Sequence, residues 1–272
     1  MTSKKGKTKK TAASASFRIS IELDAAGDRT EATTSTLKKN YAQRFSTALA
    51  TRVANSLRND FPGILPDSDG GRQESPSRTA KGTKKLDVNY STPELGLGLG
   101  VSIKTLNFRD GKSKRYTKNM TRIDNELRAE AVDYHQRQPY AVLIALCFLP
   151  YDSCEDGRGR TPSSFGHAVK TFFYRARRRK PEDDVSLFEK VYVGLYRYEG
   201  HLRGQVDFFD VELPPPSQGA PSTLLNWNSV IESIRDEFDR RNESKFKWAD
   251  RPEEAEFLMP SDPDDLSDDE SA

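Results

Sequence analysis

The chain has 272 residues, a length that fits one large domain or two small ones. Its mean hydropathy is −0.78, yet the apolar residues gather in periodic segments that predict a core between polar ends. The two cysteines lack the spacing of a zinc site, and nothing suggests a disulfide framework. No apolar run reaches the roughly 18 residues that span a bilayer. We therefore predict a protein of the reducing cytoplasm without a membrane partner.

The net charge is only +2, but it is unevenly distributed. Residues 1–10 carry five lysines and no acid, whereas residues 261–272 carry six acids and no base. Segments of this composition cannot bury enough apolar surface to fold. We predict a disordered basic tail at 1–15, a single domain at 16–258 and a disordered acidic tail at 259–272.

The first half of the chain predicts a strand, a helix and a hairpin. Apolar and polar side chains alternate over residues 17–23, which favours a strand. Residues 36–59 have helical apolar spacing and no carboxylate, and residues 66–83 have the composition of an exposed loop. Two alternating runs follow at 86–90 and 99–104, with Pro and Gly between them, and we expect them to pair as a hairpin.

The second half predicts three helices, a buried strand and another hairpin. Residues 140–149 are nearly all apolar, as in a central strand that is covered on both faces. The next helix is expected to start at Thr161 and to end in the basic run 175–180. The predicted fold class is α/β (α+β), a central mixed sheet flanked by helices. The other elements are helices at 118–137 and 222–241, strands at 190–198 and 204–213, and Phe246 and Trp248 docked on the core.

The first hairpin carries the residues that suggest chemistry. If its strands pair, Asp87 and Lys104 point to the same side. Such a pair suits a metal-dependent phosphodiester site, and it suits a surface salt bridge equally well. The glycines at 96–100 lead into a strand rather than a helix, so they do not form a phosphate loop. None of the three histidines lies in a recognisable nucleophile or zinc context.

The order of these elements resembles the core of the PD-(D/E)xK, or restriction-endonuclease-like, nuclease superfamily. The similarity covers residues 36–149: a helix, a hairpin with Asp87 and Val-Ser-Ile-Lys104, a helix with glutamates, and a buried strand. It implies that Asp87 is the metal-binding aspartate and Lys104 the lysine of the motif. The chain departs from the pattern at Leu86, where proline is usual, and at Ser102, which takes the place of the second carboxylate.

The resemblance also implies where the missing carboxylate lies. Some members with Ser-x-Lys carry it on the following helix, which here offers Glu126 and Glu130. Glu126 is the preferred metal ligand beside Asp87, because it lies further from the centre of the apolar stripe of that helix. The alternatives are Glu130 and Glu94. The implied cofactor is Mg²⁺ or Mn²⁺.

The implied activity is that of a DNA endonuclease, with a role in restriction or phage defence. Lys104 would orient the attacking water or stabilise the transition state, and Ser102 would hydrogen-bond a metal-bound water. DNA is the implied partner, and a homodimer is compatible with it. Residues 157–180 hold eight Lys or Arg and no carboxylate, which suits phosphates or a solvated helix face. The predicted nucleic-acid-binding residues are Arg158, Arg160, Lys170, Arg175, Arg177, Arg178 and Arg179.

Two other functions are compatible with the sequence. A non-catalytic nucleic-acid-binding or interaction protein would have the same fold, with its metal site lost at Ser102. A structural protein would assemble through its oppositely charged ends. Cleavage of plasmid or phage DNA with Mg²⁺ or Mn²⁺ distinguishes the first from a nuclease, and removal of both ends tests the second.

Overall fold

A five-stranded mixed sheet forms the centre of the computed structural model, which describes residues 17–68, 76–79, 82–93, 96–216 and 219–242. The strands lie in their sequence order, and the middle three are parallel, while each outer strand is antiparallel to its neighbour. This architecture confirms the predicted class. The strands are β3 (Val88–Thr92), β4 (Gly96–Thr105), β5 (Val142–Pro150), β6 (Lys190–Tyr196) and β7 (Val206–Asp210), preceded by a separate antiparallel pair, β1 (Pro76–Thr79) and β2 (Gly82–Lys85).

Helices cover both faces of the sheet. They are α1 (Ser20–Ala26), α2 (Ser35–Leu57), α3 (Met120–His135), α4 (Ser164–Phe173) and α5 (Trp227–Asn242). In β5, Ile144 and Leu146 pack with α1, α2 and α5, whereas Leu143 and Ala145 pack with α3 and α4. The strand is buried along its whole length, which confirms the predicted central strand. No helix in the described part of the chain is long and apolar enough to cross a membrane.

The first element is a helix, and the strand predicted at 17–23 is wrong. Ile19, Leu23 and Ala26 are buried at i, i+4 and i+7, while Ile21 is 70% exposed. A run this short satisfies both the helical and the alternating pattern, so packing against α2 decides the outcome.

Two further segments differ from the prediction. α4 begins at the cap Ser163, whose Oγ accepts from the N–H of Gly166 at 3.1 Å, and it ends at Phe173. The basic run 175–180 therefore follows the helix and does not compensate its dipole. Residues 76–85 contain the β1–β2 pair within the predicted loop. The tails 1–15 and 259–272 and the predicted contacts of Phe246 and Trp248 lie outside the described residues.

Gly204, in the connection between β6 and β7, contacts the start of α1. We expect Gly204→Ala to destabilise the fold. Its carbonyl accepts the N–H of Ile19 at 2.7 Å, its φ is +86°, and an added Cβ would lie 2.8 Å from the Ser20 nitrogen. Backbone strain and this clash together should lower the free energy of unfolding by about 2–4 kcal/mol.

Gly200→Ala is the matched control for this effect in urea denaturation. Gly200 also has a positive φ, +74°, but nothing lies within 4 Å of an added Cβ. Gly200→Ala should lower the free energy of unfolding by only about 1–2 kcal/mol, because it introduces backbone strain alone. Equal losses in the two variants would show that the contact with Ser20 does not matter.

Candidate active site

The hairpin places Asp87 against the strand that carries Ser102 and Lys104. Val88 pairs with Val101, and one oxygen of Asp87, the residue before β3, accepts the N–H of Ile103 at 2.7 Å. Val101 and Ile103 pack in the α2 layer, so the alternation of β4 directs Ser102 and Lys104 toward α3.

The alternation predicted for residues 86–90 breaks at Asp87. Leu86 packs in the α3 layer, whereas Val88 packs in the α2 layer, because the chain bends at Asp87 before β3 begins. Leu86 can lie there because Gly100 has no side chain. A Cβ on Gly100 would lie 2.7 Å from a Leu86 methyl carbon.

Glu130 of α3 reaches back to β4 with both of its oxygens. Oε2 accepts the Ser102 hydroxyl at 2.6 Å, and Oε1 accepts the Lys104 ammonium at 2.7 Å. Ser102 is buried, and the side chains of Lys104 and Glu130 are only 15% and 14% exposed. The structure therefore brings a carboxylate to the position at which Ser102 interrupts the motif.

Glu126, the preferred ligand from the sequence, does not contact these residues. Its carboxylate forms an ion pair with Arg122, one turn earlier on α3, and its side chain is 39% exposed. The assignment of the reaching carboxylate is corrected from Glu126 to Glu130, because the helix places a later turn over Lys104. Glu94 lies outside the described residues.

The surrounding carboxylates determine the charge of Lys104. Burial opposes the ammonium form, but the charges of Glu130, Asp87 and Glu126 together raise the pKa of Lys104 above its ordinary value. Lys104 is consequently a cation at neutral pH. It can attract an anion or orient a water, but it cannot act as a general base there.

Tyr134 adds a hydroxyl that sequence reasoning missed. It lies one turn after Glu130, its side chain is buried, and its hydroxyl has no hydrogen-bond partner within the described ranges. Burial raises the pKa of Tyr134, and the charges of Glu130, Asp133 and Asp87 raise it further. Tyr134 is therefore a neutral hydroxyl within electrostatic reach of both candidate ligands. Its i+4 spacing from Glu130 was the available signal.

The protein supplies only a few of the ligands that Mg²⁺ needs. Mg²⁺ prefers oxygen ligands and is commonly held by one or two carboxylates together with waters and substrate phosphates. Asp87 and Glu130 supply two such carboxylates, and the Tyr134 hydroxyl, which has no hydrogen-bond partner among the described residues, is a further polar group nearby. The described residues contain no group of three or more His, Cys, Asp or Glu that could hold a metal. Any metal here would thus depend on waters and substrate for its remaining ligands.

Most arginines of the predicted phosphate-binding run have structural partners. Arg178 is fully buried against Glu189, so its assignment to nucleic acid is wrong. Arg175 pairs with Asp124 at 2.6 Å and Arg179 with Glu212 at 2.6 Å, which satisfies their charges within the protein.

The remaining residues of that prediction are more accessible. Arg177 is exposed and packs over the Phe173 ring, 4.1 Å from its centroid. Arg158, Arg160 and Lys170 are exposed. Arg177 also lies 3.7 Å from a carboxylate oxygen of Glu212, so among the predicted residues only Arg158, Arg160 and Lys170 have no ion-pair partner in the described part of the chain.

No family model, curated protein or solved structure matches this chain. The similarity to the restriction-endonuclease-like superfamily therefore depends on the motif residues and on the order of the elements around them. Its functional content is a proposal, which the geometry of Asp87, Ser102, Lys104 and Glu130 supports.

Proposed function

We propose that the protein is a metal-dependent DNA endonuclease with a PD-(D/E)xK-type site. One observation carries the proposal: Glu130 contacts both Ser102 and Lys104, so a carboxylate from the following helix replaces the one that the motif lacks. Lys104 forms its ion pair with Glu130, while Asp87 accepts the N–H of Ile103, so two carboxylates from different elements lie beside the same strand. A cytoplasmic role in restriction or phage defence belongs to the same proposal.

The residues have separate tasks in this proposal. Asp87 and Glu130 would hold Mg²⁺, which, when bound, acts as a Lewis acid and lowers the pKa of a bound water. The N–H of Ile103 holds the Asp87 carboxylate in place. The Ser102 hydroxyl, which donates to Glu130, orients that carboxylate. Lys104 keeps its positive charge and stabilises the charge that develops on the phosphate.

Nicking of supercoiled plasmid and phage DNA in Mg²⁺ or Mn²⁺ tests the proposal. The intact protein should cut, and Asp87→Asn and Lys104→Ala should each lose at least about 100-fold in rate, because each removes charge from the reacting centre. Lys180→Ala, which changes an exposed lysine outside the candidate site and outside the loop after β4, is the control and should cut normally. Normal cutting by either site variant would refute the assignment.

The sparse donor set favours a second candidate. With no group of three metal-binding residues in the described ranges, the fold could serve as a non-catalytic nucleic-acid-binding protein. This candidate predicts DNA binding without nicking in either metal. It also predicts that Asp87→Asn leaves DNA affinity unchanged or higher, because it removes only a negative charge.

A further inference from the structure

A basic cleft lies beside the candidate active site, at the end of β4. It has a volume of about 480 Å³ and is bounded by the first turns of α2 and α3 and by the loop after β4. Thr105, which directly follows Lys104, lies in its wall. Its cationic lining residues are Lys38, Lys39, Arg109, Lys118 and Arg122.

Part of this positive charge is already neutralised. Arg109 pairs with Asp152 at 2.7 Å and Lys118 with Asp110 at 3.3 Å. Arg122 pairs with Glu126, so three carboxylates offset three of the five cations. The remaining excess is two positive charges.

The unbalanced charge belongs to Lys38 and Lys39. Neither forms an ion pair with a carboxylate of the described chain, and the Lys38 ammonium lies 5.5 Å from the centroid of the Phe108 ring. Both lysines are at the start of α2, where the helix dipole disfavours cations and where the first turn contains no acid. The helix dipole disfavours both cations, and no carboxylate of the described chain balances them, so this position suits a bound anion.

The start of α3 also makes the electrostatic potential in the cleft more positive. Asn119 precedes it without a side-chain capping bond, the first turn contains no acid, and Asn119 lines the cleft. The cleft thus combines two excess cations with the N-terminal ends of two helices, an environment that suits phosphate.

We infer that this cleft binds the sugar–phosphate backbone of the DNA strand that passes through the active site. The inference rests on the proposed function, because it places the same substrate. Arg122 and Glu130 are eight residues apart on α3, roughly 12 Å along its axis. Along the axis of a duplex, that distance corresponds to roughly three to four base pairs, so the inference places the bound phosphates about that far from the cut.

The test is equilibrium binding of a labelled oligonucleotide duplex, measured by fluorescence anisotropy at several salt concentrations with Ca²⁺ in place of Mg²⁺. The double variant Lys38→Gln/Lys39→Gln should lower the slope of log affinity against log salt by about 2, roughly one per lost phosphate contact. Arg137→Gln/Lys180→Gln removes two exposed cations that do not line the cleft and is the matched control. An unchanged slope in the lysine variant, or an equal loss in the control, overturns the inference.

A second arm identifies the source of the phosphate. Inorganic phosphate should compete with the duplex no better than chloride at equal ionic strength, and strong competition would overturn the assignment to a polymer. Binding is measured without cleavage, so the two proposals can fail separately. A protein that binds through the cleft but never cuts refutes only the nuclease. A protein that cuts with an unchanged salt slope refutes only the cleft.

Discussion

Glu130→Gln is expected to abolish Mg²⁺-dependent DNA cleavage, whereas Glu126→Gln should leave it nearly unchanged. Both residues are glutamates on α3, one turn apart, but only Glu130 contacts Ser102 and Lys104. Glutamine keeps the shape of the side chain and removes the charge that a divalent metal needs. Because the loss of even an outer partner of a metal ligand costs about 10–100-fold, the loss of a ligand should cost at least about 100-fold.

Two measurements show whether the lost rate comes from the site. Calorimetry should show weaker Mg²⁺ binding by the Glu130→Gln protein and normal binding by the Glu126→Gln protein. Circular dichroism should show a folded protein in both cases. If Glu126→Gln is the inactive variant, the carboxylate on the next helix has been assigned incorrectly, and a Glu130→Gln enzyme that still cuts would exclude Glu130 as a ligand.

The sequence predicted the long elements well, because their patterns extend over several turns or over a whole buried strand. Residues 36–59 and 118–137 were predicted as helices, and α2 and α3 occupy nearly those ranges. The strand at 140–149 was equally clear, because a completely apolar run has few alternatives. The segment at 17–23 was predicted incorrectly because seven residues do not separate the two periodicities.

The residue types of the candidate site could be predicted from the sequence, but the position of α3 relative to β4 could not. The direction of Lys104 follows from the alternation of β4, yet the bend at Asp87 and the turn of α3 that lies over Lys104 depend on packing. One local signal was present: Arg122 precedes Glu126 by four residues, the spacing of a helical ion pair, and leaves Glu130 to face the strand.

The prediction that Arg178, in the basic run at 175–180, binds nucleic acid was wrong for a related reason. Its partners are distant in sequence, so the burial of Arg178 against Glu189 could not be inferred from the run itself.

Glu189→Gln should cause a large loss of stability. Its carboxylate is completely buried, accepts Arg178 at 3.1 Å and the N–H of Leu143 at 2.7 Å, and lies 3.5 Å from Arg241. The two arginines also donate to the carbonyl of Pro139, at 2.9 Å each. Glutamine would leave two buried guanidinium groups without their only carboxylate among the described residues. Removal of one partner from a buried ion pair costs about 3–5 kcal/mol.

Guanidinium chloride denaturation, followed by tryptophan fluorescence, measures this loss. Glu126→Gln serves as the matched control, because it removes a carboxylate from an exposed ion pair and should cost at most about 0.5 kcal/mol. The difference arises from solvation, since water stabilises Arg122 when Glu126 is neutral but cannot reach Arg178. Similar losses in the two variants would mean that Arg178 and Arg241 regain solvent when Glu189 is neutral. A loss confined to Glu189→Gln would establish that Arg178, within the basic run, stabilises the fold through its buried ion pair with Glu189.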